Sequence, residues 1–146
     1  MGEFYSIVPH TADLQIHVEG KTLKELFKNA LIGMFQSIKP EAPGCEYHNH
    51  LFVCPSLPQL RTVKVSSPDK EALLVDFLSE ALYLSDLNNE AYLDVVIHMF
   101  DEKNIHADLY GVRIESFENE IKAVTYHDLV IQNKNGIWRA DILFDI

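Results

Sequence analysis

Two stretches of helical apolar spacing, at 22–38 and 67–86, alternate with six or so strand patterns joined by turn residues. That alternation predicts an α+β fold in which two amphipathic helices pack on a mostly antiparallel β-sheet. A length of 146 residues predicts a single domain over 1–146, since domains most often run to about 100–150 residues. With 47% hydrophobic and 23% charged residues the chain has globular composition, which excludes disordered and fibrous architectures.

Strands are expected at 5–8 and 14–18, on either side of Pro9-His10-Thr11-Ala12-Asp13. The first helix starts at Thr22, with Glu25 three residues on as a capping box. Leu23, Leu26, Phe27, Ala30, Leu31, Met34, Phe35 and Ile38 form one stripe, which must face a core. Residues 39–60 hold four of the six prolines and read as a long irregular connection. A weakly alternating strand follows at 61–65. The second helix opens with Ser67-Pro68-Asp69: a cap, a proline at the first helical position and an acid near the positive helix end. Its stripe is Leu73, Leu74, Phe77, Leu78, Ala81 and Leu82, ending near Asp86. Strands 92–100 and 105–110 flank Asp101-Glu102-Lys103-Asn104 as a hairpin. Strands 124–131 and 137–144 make a second hairpin, whose Asn135-Gly136 supplies the positive φ angles of its turn. No internal repeat, low-complexity tract or Gly/Ser linker is seen.

Twelve Lys and Arg against 22 Asp and Glu leave a formal charge of −10. A protein that grips phosphates by itself needs the opposite surplus, so neither direct nucleic-acid binding nor an anionic membrane is expected. An acidic domain suits a basic protein partner, or cations held by carboxylates. Two cysteines, Cys45 and Cys54, are too few for a disulfide-stapled secreted domain and read as reduced thiols. The N-terminus lacks a basic region followed by an apolar run, and no apolar stretch approaches the ~20 residues of a membrane span. A cytoplasmic protein is the expectation.

Several groups could carry chemistry. The chain stops at Asp145-Ile146 directly after a strand pattern. An anchored strand would hold the Asp145 side chain beside the terminal carboxylate, an oxygen pair suited to a hard cation; solvated, fraying charges are the bland alternative. His10 and Asp13 could flank one ligand, although Thr11 and Asp13 bonding to local backbone is commoner in such turns. Lys122 could contact a phosphate or carboxylate as a point charge, or simply be solvated. His127 could be an acid–base group or a hydrogen-bonded structural histidine. Cys45, His48, His50 and Cys54 have the ligand types for zinc, but not the usual two ligands, long spacer and two more. No phosphate-binding glycine loop, nucleophile elbow or zinc-protease motif occurs.

Three segments taken together resemble the archease family: His10-Thr11-Ala12-Asp13; Leu73-Leu74-Val75-Asp76-Phe77-Leu78-Ser79-Glu80-Ala81-Leu82-Tyr83-Leu84; and Glu120-Ile121-Lys122-Ala123-Val124-Thr125-Tyr126-His127 with the closing Asp145-Ile146. Gly20 and the Thr22 helix also fall where the family has them, while the 41–60 stretch matches no family motif. The resemblance implies an accessory activator of the GTP-dependent tRNA-splicing ligase that joins ends bearing a 3′-phosphate or 2′,3′-cyclic phosphate. Such a protein is not an enzyme. It promotes guanylylation of the ligase's active-site histidine and multiple turnover. Carried over by position, the family's metal site falls on Asp13, Asp145 and Ile146, the last through its main-chain carboxylate, and Lys122 matches a lysine implicated in ligase activation. A divalent cation is implied, calcium first, with manganese or magnesium as other oxygen-seeking candidates. Two rival functions are a chaperone for tRNA-modification enzymes and a metal-dependent phosphoester hydrolase using Asp13, Asp145 and His10 or His127.

Overall fold

The computed structural model describes residues 4–9 and 13–146. In chain order its elements are β1 (Tyr5–Pro9), β2 (Asp13–Gly20), α1 (Leu23–Ser37), β3 (Pro40–Glu41), β4 (Glu46–His48), β5 (Leu51–Val53) and β6 (Gln59–Ser66). Then come α2 (Lys70–Asn88), β7 (Glu90–Phe100), β8 (Asn104–Arg113), β9 (Ser116–Phe117), β10 (Ala123–Val124), β11 (Gln132–Lys134) and β12 (Ile137–Asp145). The α+β expectation holds. One antiparallel sheet runs β1-β2-β12-β10, with β11 also on β12, and a second runs β6-β8-β7.

Helix α1 packs on β1, β2 and β12 of the first sheet and on β7 of the second, so it joins the two. Helix α2 lies on all three strands of the second sheet and on β10 at the edge of the first. The stripes read from spacing are the buried ones: Leu26, Phe27, Leu31, Met34, Phe35, Leu73, Leu74, Phe77 and Leu78 have no exposed surface. Strand β2 alternates strictly, with Leu14, Ile16 and Val18 inward. Such burial contributes about 1.5–3 kcal/mol per large apolar side chain.

The Thr22 cap is as expected, its hydroxyl accepting from the Glu25 amide at 3.0 Å. The second cap is shifted. Asp69, not Ser67, caps α2 by accepting from the Ala72 amide at 2.8 Å, so Pro68 precedes the helix. The Ser67 hydroxyl instead donates to the Asp76 carboxylate at 2.6 Å. Helix α2 also outlasts Asp86 to Asn88, closed by Asn89 in the left-handed conformation at φ 55°. The last turn is as read, with Asn135 and Gly136 at φ 54° and 81°.

Three expectations need correction. The 39–60 connection is partly regular: β4 and β5 form a hairpin whose tight turn sets Asn49 and His50 at φ 50° and 69°. Its register, Glu46 opposite Val53, makes Cys45 and Cys54 the next facing pair, and they form a disulfide with Cα atoms 4.3 Å apart. The cysteines are thus not reduced thiols, and they are not a zinc pair either. Alternation puts His48 on the opposite face of β4, where its ring meets Glu46 at 2.9 Å. Finally, 124–131 is not a strand beyond Val124. Asp128 takes φ 56° and the Leu129 amide donates back to the Tyr126 carbonyl at 3.1 Å, a turn that buries Leu129 and Ile131 without a ladder. No helix among the described residues is long and apolar enough to cross a membrane.

Candidate functional site

Asp13 opens β2 and Asp145 closes β12, and the antiparallel register sets them directly opposite one another. Directly opposed residues share a sheet face, with Cβ atoms typically about 4.5–5.5 Å apart. A third segment joins them. Ala123 of β10 is opposite Asp145 on its other side, and the Lys122 amide donates to the Asp145 carbonyl at 2.7 Å. Three distant parts of the sequence therefore converge because β12 is central, paired to β2 along one edge and to β10 along the other.

The electrostatics of this end of the sheet are unbalanced. Asp13 is half-buried and Asp145 exposed. Among the described residues neither carboxylate, nor the Lys122 ammonium, has an ion-pair partner. Like charges placed directly across a ladder destabilise it, and a hard cation would relieve them. The donor chemistry of Asp13 and Asp145, two carboxylates without an ion-pair partner among the described residues, fits such an ion. No third His, Cys, Asp or Glu side chain among the described residues completes a metal cluster. Ile146 is 38% exposed and follows Asp145 directly.

His127 is not drawn into this group. It lies in the exposed turn after β10, its ring 3.1 Å from the Asp128 carboxylate and its amide donating to the Thr125 hydroxyl at 2.9 Å. His10 lies outside the described residues.

Sequence reasoning missed the contacts that hold the 122–131 segment. The Tyr126 hydroxyl donates to Asp76 at 2.8 Å, and the Ile131 amide donates to the Glu71 carboxylate at 3.1 Å. The Asp76 bond, and then burial, push the Tyr126 phenol up from its ordinary value. The available signal was Asp76 itself, a single acid inside Leu-Leu-Val-Asp-Phe-Leu. Also missed was His17 on the outer face of β2. Its Nδ1 meets Asp141 at 2.8 Å and its Nε2 meets Glu19 at 2.9 Å. A carboxylate accepts, so this placement between two carboxylates favours the doubly protonated, cationic ring.

Residues 5–146 match the family model described as the archease protein family (MTH1598/TM1083). An archease of Methanosarcina mazei is 32% identical over 99% of this chain and 97% of its own length. That of Methanosarcina barkeri is 34% identical over the same shares, 99% and 97%. Among solved structures, protein 1598 of Methanobacterium thermoautotrophicum superimposes with a TM-score of 0.70 at 26% identity, covering 99% of this chain and 100% of that one. An archease of Thermotoga maritima, described as a possible chaperone, gives a TM-score of 0.61 over 95% and 94% of the two chains; at 18% identity that likeness concerns the fold alone. With the family model spanning both helices and both sheets, this chain belongs to the archease family.

Proposed function

We propose that this protein is an accessory activator of the GTP-dependent tRNA-splicing ligase, without turnover of its own, and that Asp13, Asp145 and the main-chain carboxylate of Ile146 act as one divalent-cation site. The observation that supports this most is the direct opposition of Asp13 and Asp145, neither of which has an ion-pair partner among the described residues. A bound ion, calcium first and manganese or magnesium as alternatives, would supply charge neutralisation for triphosphate oxygens. The chain's own share is placement. Strands β2 and β12 hold the carboxylates at one rim of the sheet, and the Lys122 amide bond to Asp145 keeps the exposed lysine side chain at the same rim. Fixed charges set where charge develops are the main lever in nucleotidyl transfer. Guanylylation of the ligase's histidine is the step such a rim would promote.

The test is guanylylation of the cognate ligase by GTP at limiting metal, with the parent protein, Asp13→Ala, and a form extended by one glycine after Ile146. Stimulation by the parent and by neither variant is expected. A ligase competent alone and indifferent to the parent would refute the reading and favour the chaperone. Phosphoester turnover by the isolated protein, abolished by chelator, would favour the hydrolase.

A further inference from the structure

Segment 120–131 runs antiparallel along α2. Ile131 is bonded to Glu71 and Tyr126 to Asp76, and Glu120 lies close enough to Asp86 for their charges to repel. The solvent side of this pairing is unusual in two ways. On α2 the residues Glu80, Tyr83 and Leu87 follow at steps of three and four and so share one stripe, in which Tyr83 is 58% and Leu87 62% exposed. Tyr126 adds a further large apolar surface, 54% exposed, at the stripe's other end. Second, the acids of this surface are uncompensated: among the described residues Glu80, Asp86 and Glu120 have no ion-pair partner. Burial first, and then Glu120, hold the Asp86 carboxyl above its ordinary value.

We infer that Glu80, Tyr83, Asp86 and Leu87, with Glu120 and Tyr126 beside them, form the docking surface for a protein partner that presents lysines or arginines around an apolar side chain. The inference rests on the proposed function for its occupant, the ligase, and adds where the ligase is met. Three arguments select this partner chemistry. The apolar groups are aromatic and aliphatic anchors of the kind that dominate protein interfaces. Asp86 and Glu120 repel one another until a basic surface neutralises them. A second copy of this chain would bring the same acids against each other, at a formal charge of −10 per copy, and nucleic acid is repelled for the same reason. The surface is also continuous with the carboxylate rim, because Lys122, whose amide is bonded to Asp145, lies between Glu120 and Tyr126.

The test uses full-length protein and measures its affinity for the ligase by titration at two salt concentrations, beside ligase guanylylation. The variants are Tyr83→Ser with Leu87→Ser, and Glu80→Lys with Asp86→Lys, all at exposed positions whose change leaves the core intact. The expected result is a Kd raised about tenfold or more by each pair, a shallower salt dependence for the charge pair, and full stimulation recovered at saturating variant. Asp13→Ala should do the reverse, binding normally without stimulating. Unchanged Kd for both pairs, with the parent binding and stimulating, overturns the docking surface and leaves the proposed function standing. A parent that neither binds nor stimulates overturns both. Sedimentation showing a parent dimer that the serine pair dissociates, with ligase affinity unchanged, assigns the surface to self-association and also overturns the inference.

Discussion

Arg61 closes on both oxygens of Glu90, with Nε and Nη2 each at 2.9 Å from their acceptors, and the Glu90 side chain has no exposed surface. The pair spans the second sheet from β6 to β7, and the Tyr92 hydroxyl donates to the same carboxylate at 2.8 Å. Bidentate geometry and a third donor are what make burying this charge tolerable. The Arg61 bond, against burial and with help from Tyr92, holds the Glu90 carboxyl below its ordinary value.

Arg61→Met should therefore cost roughly 3 kcal/mol, the low end of the range for breaking a buried pair, because Arg61 keeps 35% of its side-chain surface in solvent. A depressed carboxyl stabilises the fold above its unfolded pKa of about 4.3 and loses that contribution as pH falls through the folded value. Thermal melts across pH should show the largest gap between parent and variant near neutrality, narrowing below about pH 4. A gap that stays constant down to pH 3 would contradict the assignment.

Gln36 acts as a surrogate strand. Its side-chain amide donates to the Phe52 carbonyl and accepts from the Phe52 amide, both at 2.9 Å. This fastens the β4–β5 hairpin to α1 independently of the disulfide. Gln36→Leu fills the space but orphans two buried backbone groups, at about 1–3 kcal/mol each. Hydrogen exchange should show the Phe52 amide losing protection while amides of α2 keep theirs.

His17 gives a pH signature of opposite sign. Burial pulls its pKa down, but the bonds to Glu19 and Asp141 outweigh it and leave it above 6.5. A raised histidine contributes stability that is complete below the unfolded pKa and is lost as pH rises through the folded one. The parent should thus lose stability between about pH 6.5 and the His17 midpoint, and His17→Gln should be flat over that window. An NMR titration placing the His17 midpoint at or below 6.5 would remove the basis for the effect.

Gly111 sits in β8 between Gln59 of β6 and Tyr92 of β7, where a Cβ would come within 2.0 Å of the Ala91 carbonyl oxygen. Because that neighbour is backbone, Gly111→Ala must displace a strand, costing about 3 kcal/mol or more. Gly44→Ala meets no atom within 4 Å but sits at φ 79°, so its smaller cost, about 1 kcal/mol, comes from conformation alone. Comparison of the two melts separates sterics from backbone strain.

What was legible in the sequence was local. The Thr22 cap, the Asn135-Gly136 turn and the helix stripes each depend on residues a few positions apart, and the structure has them. Ser67 read as the cap of the second helix; only the fold shows that Asp69 takes that place and that the Ser67 hydroxyl goes to Asp76. The 124–131 segment has strand-like apolar residues, yet Leu129 and Ile131 are buried by a turn tied to α2 through Glu71 and Asp76, contacts that no short window contains. Cys45 and Cys54 pair because of hairpin register, and composition arguments had no access to that. For the same reason spacing alone left Asp13 and Asp145 unrelated. The central placement of β12 is what brings them together, and the family resemblance pointed there first.

That opposition of Asp13 and Asp145 should be visible as stability exchanged for binding. With chelator present, Asp145→Asn removes a cross-strand like-charge contact, so its Tm should match the parent's or exceed it by about 1–2 °C. With calcium the order should reverse. An ion that binds only the folded parent stabilises it by RT ln(1 + [L]/Kd), so the parent's Tm should climb with the logarithm of calcium concentration while the variant's stays level. Asp13→Asn should behave as Asp145→Asn does, because each removes one side of the same pair. Lys122→Ala should leave the calcium response intact, since only the backbone amide of that residue reaches Asp145. A parent Tm indifferent to calcium, manganese and magnesium alike would count against any cation at this rim and leave the opposed carboxylates to a basic group on the partner.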